Sequence, residues 1–133
     1  DFPNQVNNSL GFPGILKGAL LVRARKITDE MAVKAAYSMA NYAEKNGINP
    51  DYIMPKMDET EMFAHEAADV AMEAIKNGVA RTELTRDEVF KKTMDDIKQT
   101  RNTIDMMMQH NFIPQPDIKL LEEALKFAVD QVK

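Results

Sequence analysis

Apolar residues along this chain recur at steps of three and four, the spacing of one helix face, in about five separate stretches. From Pro13, the residues Ile15, Leu16, Ala19 and Leu20 share such a face. Pro13 suits a first helical position because its missing N–H would have no intrahelical partner there. A first helix to about Ala24 follows. Thr28, ahead of Asp29 and Glu30, reads as an N-cap with carboxylates at the positive end of the helix dipole. The second helix then carries the small-residue face Ala32, Ala35, Ala36, Met39, Ala40 and Ala43 and stops at Gly47.

Asn49, Pro50 and Pro55 break the period, so residues 47–57 are expected to form a connection with at most a short turn of helix. Asp58 stands three residues before Glu61 in a capping-box spacing, and Phe63, Ala67, Val70, Ala71, Ala74 and Ile75 follow on one face until Gly78. Thr85 and Glu88 repeat the box. Phe90, Met94, Ile97, Ile104 and Met108 then trace a narrow seam, with Arg101 on the same seam, along a helix of about 25 residues, roughly 37 Å. After "FIPQP", Asp117 caps a last helix bearing Ile118, Leu121, Leu125, Ala128 and Val132. No stretch alternates as a strand would. The predicted class is all-α with about five helices, the fourth and fifth folded into a hairpin whose shorter stripe leaves part of the longer seam for another subunit. The run Met106, Met107, Met108 is expected to pack in that seam rather than to form an adaptable binding surface.

Composition narrows the function classes. The chain has 133 residues, 44% of them hydrophobic, which suits one domain with its own core. It has no cysteine, so disulfide, thiolate-metal and cysteine-nucleophile chemistry are excluded, and a reducing cytoplasm is expected. A net charge of -4 argues against nucleic acid and anionic lipid as partners, and no apolar run reaches the ~20 residues of a membrane helix. His65 and His110 lie far apart with no second ligand at a metal-binding spacing, and both are expected at the surface. Asp58, Glu59 and Glu61 could be drawn as a metal cluster, but carboxylates gather at helix N-termini for dipole reasons. Lys17, Arg23, Arg25 and Lys26 complement the negative end of the first helix, with phosphate binding as the sharper alternative.

The densest polar chemistry lies at the start, "DFPNQVNNSLGFPGILKGAL". Asn4, Asn7 and Asn8 could simply make turns and caps. A carboxamide also offers two N–H donors and one acceptor without adding charge, and just ahead of a helix it would share a bound anion with free backbone N–H groups. Gly14 and Gly18, four apart, fit close backbone packing of the first helix better than ligand contact.

"DFPNQVNN", then "GFPG" and "KGA", resembles the stretch of malic enzymes that follows the last strand of their dinucleotide-binding domain, particularly the short bacterial and archaeal form. "VRARKITDEM", "IMPKMDETEMF" and "EAADVAMEAIKNGVAR" resemble the downstream part, so the likeness covers about residues 1 to 81. It implies a C-terminal piece of an enzyme with a Rossmann-like NAD(P)-binding domain. Residues 1–25 would close that domain, 26–83 would form a C-terminal helical region, and 84–133 a helical hairpin extension.

The implied reaction oxidises malate at C2 with reduction of NAD or NADP, with a weak lean to NAD. Loss of carbon dioxide, assisted by Mg or Mn, and protonation to pyruvate follow. By the same resemblance Asn8 would contact malate and Asn7 the cofactor, while the catalytic groups, the metal ligands and the residue that sets cofactor choice would lie upstream, outside this chain. The expected partners are malate and pyruvate, the N-terminal part of the parent, and further copies of it in a homo-oligomer. A malolactic-type outcome in the same family, or a non-catalytic helical interaction module, are the alternatives.

Overall fold

The computed structural model describes residues 4–114 and 116–132; Asp1, Phe2 and Pro3 of the opening motif lie outside them. Five helices run in order: α1 (Phe12–Leu21), α2 (Asp29–Asn46), α3 (Thr60–Lys76), α4 (Arg86–Gln109) and α5 (Ile118–Val132). A single 3-10 turn, Asn8–Leu10, precedes α1. The described residues contain no strand, only one isolated bridge between Asn49 and Tyr52 that closes the 47–57 connection as a tight turn. The class is all-α, as the periodicity predicts. The chain divides into two compact units, residues 1–97 and 98–133.

The caps show why the helices start where they do. The Thr28 hydroxyl accepts from the Met31 N–H at 3.4 Å. Thr85 and Glu88 form a reciprocal box, the Glu88 carboxylate accepting from the Thr85 N–H at 2.7 Å and the Thr85 hydroxyl accepting from the Glu88 N–H at 3.2 Å. Asp117 accepts from the Lys119 N–H at 2.9 Å. At α3 the expected Asp58–Glu61 box does not form. Instead Glu59, the residue before the helix, accepts from the Lys56 N–H at 2.7 Å and from the Tyr52 hydroxyl at 2.8 Å. Burial and that carboxylate together push the Tyr52 hydroxyl up to about 12. Gly47 and Gly78 end α2 and α3 with positive φ (89° and 66°), a conformation that costs glycine no Cβ clash.

The core of unit one is α3 flanked by α1 and α2, and α3 is buried nearly all round. Small residues make this possible. A Cβ at Gly18 would collide with the Ala67 carbonyl oxygen, so the two helix backbones meet without side chains between them. The buried line of α1 is therefore Gly14, Gly18, Ala19 and, just past its end, Val22, whereas Leu16 and Leu20, expected inside, are exposed. In α2 the face also turns from the expected one: Met31, Ala35, Ser38 and Ala43 are buried, while Ala32, Ala36 and Ala40 are exposed. Val89 and Thr93 are the buried residues of α4, with Phe90, Met94 and Ile97 half-buried beside them.

The ends of α1 and α3 are tied by backbone. The Val22 carbonyl accepts from the N–H groups of Arg81 and Thr82 at 3.0 and 3.1 Å, and the Arg25 N–H donates to the Val79 carbonyl at 2.9 Å. These bonds explain why "VRAR" and "GVAR" both follow helices: the two exits are paired. In unit two, α5 buries none of its residues, and Met106 and Met107 are exposed with Met108 half-buried. Among the described residues of this unit, the expected burial of the α5 stripe and of Met106 and Met107 is not seen. The α4 exit is closed by Phe112 and Ile113 N–H groups donating to the Met107 carbonyl, with Asn111 at φ 58°.

Candidate functional site

The opening segment is anchored at two points and left open between them. At one end Asn4 behaves as a strand partner would: its Oδ1 accepts from the Ile53 and Met54 N–H groups at 2.7 and 2.9 Å, and its Nδ2 donates to the Met54 carbonyl at 3.1 Å. At the other end Leu10 is buried with Met62 and Phe63 of α3, against Met39, Tyr42 and Met54. Asn7 and Asn8 lie between these anchors and are exposed. Asn7 caps the 3-10 turn, its Oδ1 accepting from the Ser9 N–H at 3.0 Å, which leaves its Nδ2 donor pair free to reach outward. The Asn8 carbonyl accepts from the Gly11 N–H at 3.1 Å, and its carboxamide makes no hydrogen bond to the described residues. Of the three asparagines, then, Asn7 caps a turn, Asn4 ties the segment to the 47–57 connection, and Asn8 makes no side-chain hydrogen bond to the described residues.

Beneath this turn lies a residue that sequence reasoning missed. Glu66 of α3 is fully buried, and both carboxyl oxygens lack a hydrogen-bond partner among the described residues. Its carboxyl fills the space where a Gly14 side chain would stand and reaches the neighbourhood of Gly11. Gly14 is thus empty of side chain to admit a carboxyl. Burial raises the Glu66 carboxyl to about 8, with the Gly14 backbone acting in the opposite direction. The signal was present in the sequence: Glu66 stands three residues after Phe63 and four before Val70, on the apolar face itself.

The remaining candidates resolve into structure. Lys17 pairs with Asp96, and the Arg25 guanidinium donates to the Gly78 carbonyl at 3.2 Å, so two of the four cations expected to complement α1 are used internally. His65 is not a free surface residue. It lies between Tyr42 and Phe90, with ring centroids 6.1 and 4.7 Å away, and within 3.3 Å of the Arg86 guanidinium; burial and then that charge lower its pKa. His110 is exposed. Arg86 also pairs with Asp69 at 2.9 Å, on one wall of a polar cleft of about 390 Å³ that Lys45 and Glu61 also line. Among the described residues no group of three or more His, Cys, Asp or Glu is placed so that it could hold a metal ion.

The family described as "Malic enzyme, NAD binding domain" matches residues 2–79, more than half of the chain. The chain belongs to the malic enzyme family. A crystal structure of the Entamoeba histolytica malic enzyme is 53% identical and superposes with a TM-score of 0.92 over 100% of this chain and 28% of its own. The bifunctional malic/malolactic enzyme of Bacillus subtilis strain 168 is 42% identical over 93 residues, 70% of this chain and 23% of that protein. The NAD-dependent malic enzyme of Geobacillus stearothermophilus is 41% identical over 81 residues, 61% of this chain and 17% of that protein. Relatives named as NADP-dependent malic enzymes match as well. The chain therefore spans about a quarter or less of the length of the family members it matches. Among the described residues, no helix is long and apolar enough to cross a membrane.

Proposed function

We propose that this chain supplies the neutral, anion-orienting side of a malic enzyme site whose catalytic and metal-binding groups lie elsewhere in the full-length protein. The whole enzyme would convert malate to pyruvate and carbon dioxide, and when bound its NAD or NADP nicotinamide accepts the hydride from malate C2. Asn8 donates to a malate carboxylate, and the outward Nδ2 of Asn7 donates to the nicotinamide ribose. Asn4 and Leu10 hold the turn so that neither carboxamide must be ordered when substrate arrives. The divalent cation, Mg or Mn, belongs to residues outside this chain, and the chain by itself should not oxidise malate.

The observation that carries this reading is the exposed Asn7–Asn8 pair fixed at both ends immediately before α1. Replacing Asn8 by Ala in the full-length enzyme removes a hydrogen bond to a charged group, which costs about 1.5 to 3 kcal/mol, so kcat/KM for malate should fall roughly 10- to 150-fold. Unchanged kinetics would refute the assignment. The bifunctional relative gives a malolactic outcome specific support, and scoring lactate against pyruvate as product separates the two. A cytoplasmic homo-oligomer completes the reading. The oligomer is supported by the exposed apolar residues of α5, including Leu121, Leu125 and Phe127, a surface of the kind subunits bury.

A further inference from the structure

The Asn7–Asn8 turn rests on a buried acid. Gly11, whose N–H closes the turn on the Asn8 carbonyl, lies close to one Glu66 oxygen, and Gly14, in the first turn of α1, makes room for the other. The first turn of a helix directs free N–H groups and the positive end of its dipole outward, an arrangement that favours an approaching anion. A charge on Glu66 would stand against that same turn from below and offset the attraction. Among the described residues no cation acts on it. Lys17 of α1 is paired with Asp96 of α4, Asp69 and His65 of α3 are engaged by Arg86, and Met39 of α2 brings only a methyl group to Gly11. Only burial and the Gly14 backbone act on the carboxyl.

We propose that Glu66 is a positioning residue of the malate site, holding the Asn7–Asn8 turn and the head of α1 ready for a dicarboxylate only while its carboxyl is protonated. The inference rests on the reading of Asn8 as a malate contact. It makes malate binding proton-linked: above neutrality the acid ionises, the turn carries a negative charge beneath it, and a dianionic substrate binds less well.

With an ionisation near 8, the protonated share of Glu66 falls about tenfold between about pH 7 and about pH 9. In the full-length enzyme with cofactor and metal, KM for malate should therefore rise about tenfold over that interval, beyond any change in kcat. Glu66→Gln, which cannot ionise, should remove that rise, as should Glu66→Met. A Glu66→Gln or Glu66→Met enzyme that keeps the wild-type rise in KM overturns the proposal. A measurement on the wild type needs no variant: malate binding at about pH 8.5, followed by calorimetry in two buffers of different protonation enthalpy, should take up roughly three-quarters of a proton. Absence of uptake overturns the proposal as well. Asn8→Ala run in parallel separates the two ideas. A wild-type KM in Asn8→Ala removes the malate-site reading itself, whereas a raised KM there, with an unaltered pH profile in Glu66→Gln, removes the role of Glu66 alone.

Discussion

Helices α3 and α5 are alike on paper and opposite in the folded chain. They have 17 and 15 residues, and α5 is the more sharply amphipathic of the two, yet α3 buries nine residues and α5 buries none. The difference is size. Five of the nine buried α3 residues are alanine, so α1 can lay Gly18 directly on the Ala67 carbonyl and α2 can approach from another side. The α5 stripe is built of Leu121, Leu125 and Val132, large residues that no described part of the chain covers. An apolar stripe states that a helix has a preferred side; it does not state that the same chain provides the partner. The contrast also separates two kinds of exposure: Asn8 is exposed on a turn held at both ends, whereas α5 is exposed along its whole length.

The strongest way to sharpen this contrast is to titrate the buried acid in the α3 core. The Glu66 carboxyl rises from an ordinary 4.5 to about 8 in the folded chain, so the native state binds more protons than the unfolded one between these values. Stability should be greatest below about pH 4.5 as far as this group is concerned, fall as pH rises toward 8, and level off above it, by on the order of a few kcal/mol in all. Urea denaturation across that range checks it, with Glu66→Gln losing this component. A stability independent of Glu66 would break the picture of α3 as a closed core.

Gly18→Ala comes next. It forces a Cβ against a backbone oxygen that has no rotamer to escape through, so about 1 to 3 kcal/mol should be lost, visible as a lower denaturation midpoint. Thr85→Ala removes one half of the α4 capping box and should cost about 0.5 to 2 kcal/mol by the same measurement. The smallest effect belongs to α5. Leu125→Gln in the 133-residue chain should change stability by no more than about 0.5 kcal/mol, while in the full-length enzyme light scattering on dilution should show easier dissociation. A large loss in the isolated chain would mean that α5 is part of the core after all.

The candidate site was only partly legible. Asn7 and Asn8 stood out because three asparagines in five positions ahead of a helix are unusual, and the motif around them named a chemistry. What periodicity could not supply was the division of labour. Asn4 turns inward because the 47–57 connection, close in space but about 50 residues away in sequence, presents two N–H groups to it. Glu66 escaped notice because a glutamate in a helix reads as a solvated residue, and its burial depends on the missing side chain of Gly14 on another helix. His65 was read as surface for the same reason; Tyr42 and Phe90, which pack around it, come from α2 and α4.

By itself the sequence determined most of the helix ends, since caps, prolines and glycines act within a few residues: Thr28, the Thr85–Glu88 box, Asp117, Gly47 and Gly78 all work locally, whereas the α3 start and the α1 end depart from expectation. It also determined the family, because the family match over residues 2–79 and the 42% identity to one relative over 93 residues are properties of the sequence itself. Tertiary structure alone decided which face of each helix is inside. The small side chains of α1, α2 and α3 make several faces apolar enough to bury, and the choice among them depends on how closely two backbones can approach. In α1 that choice put Gly14, Gly18 and Val22 inward and left Leu16 and Leu20 out, because close contact between α1 and α3 requires the absence of side chains rather than the presence of large ones.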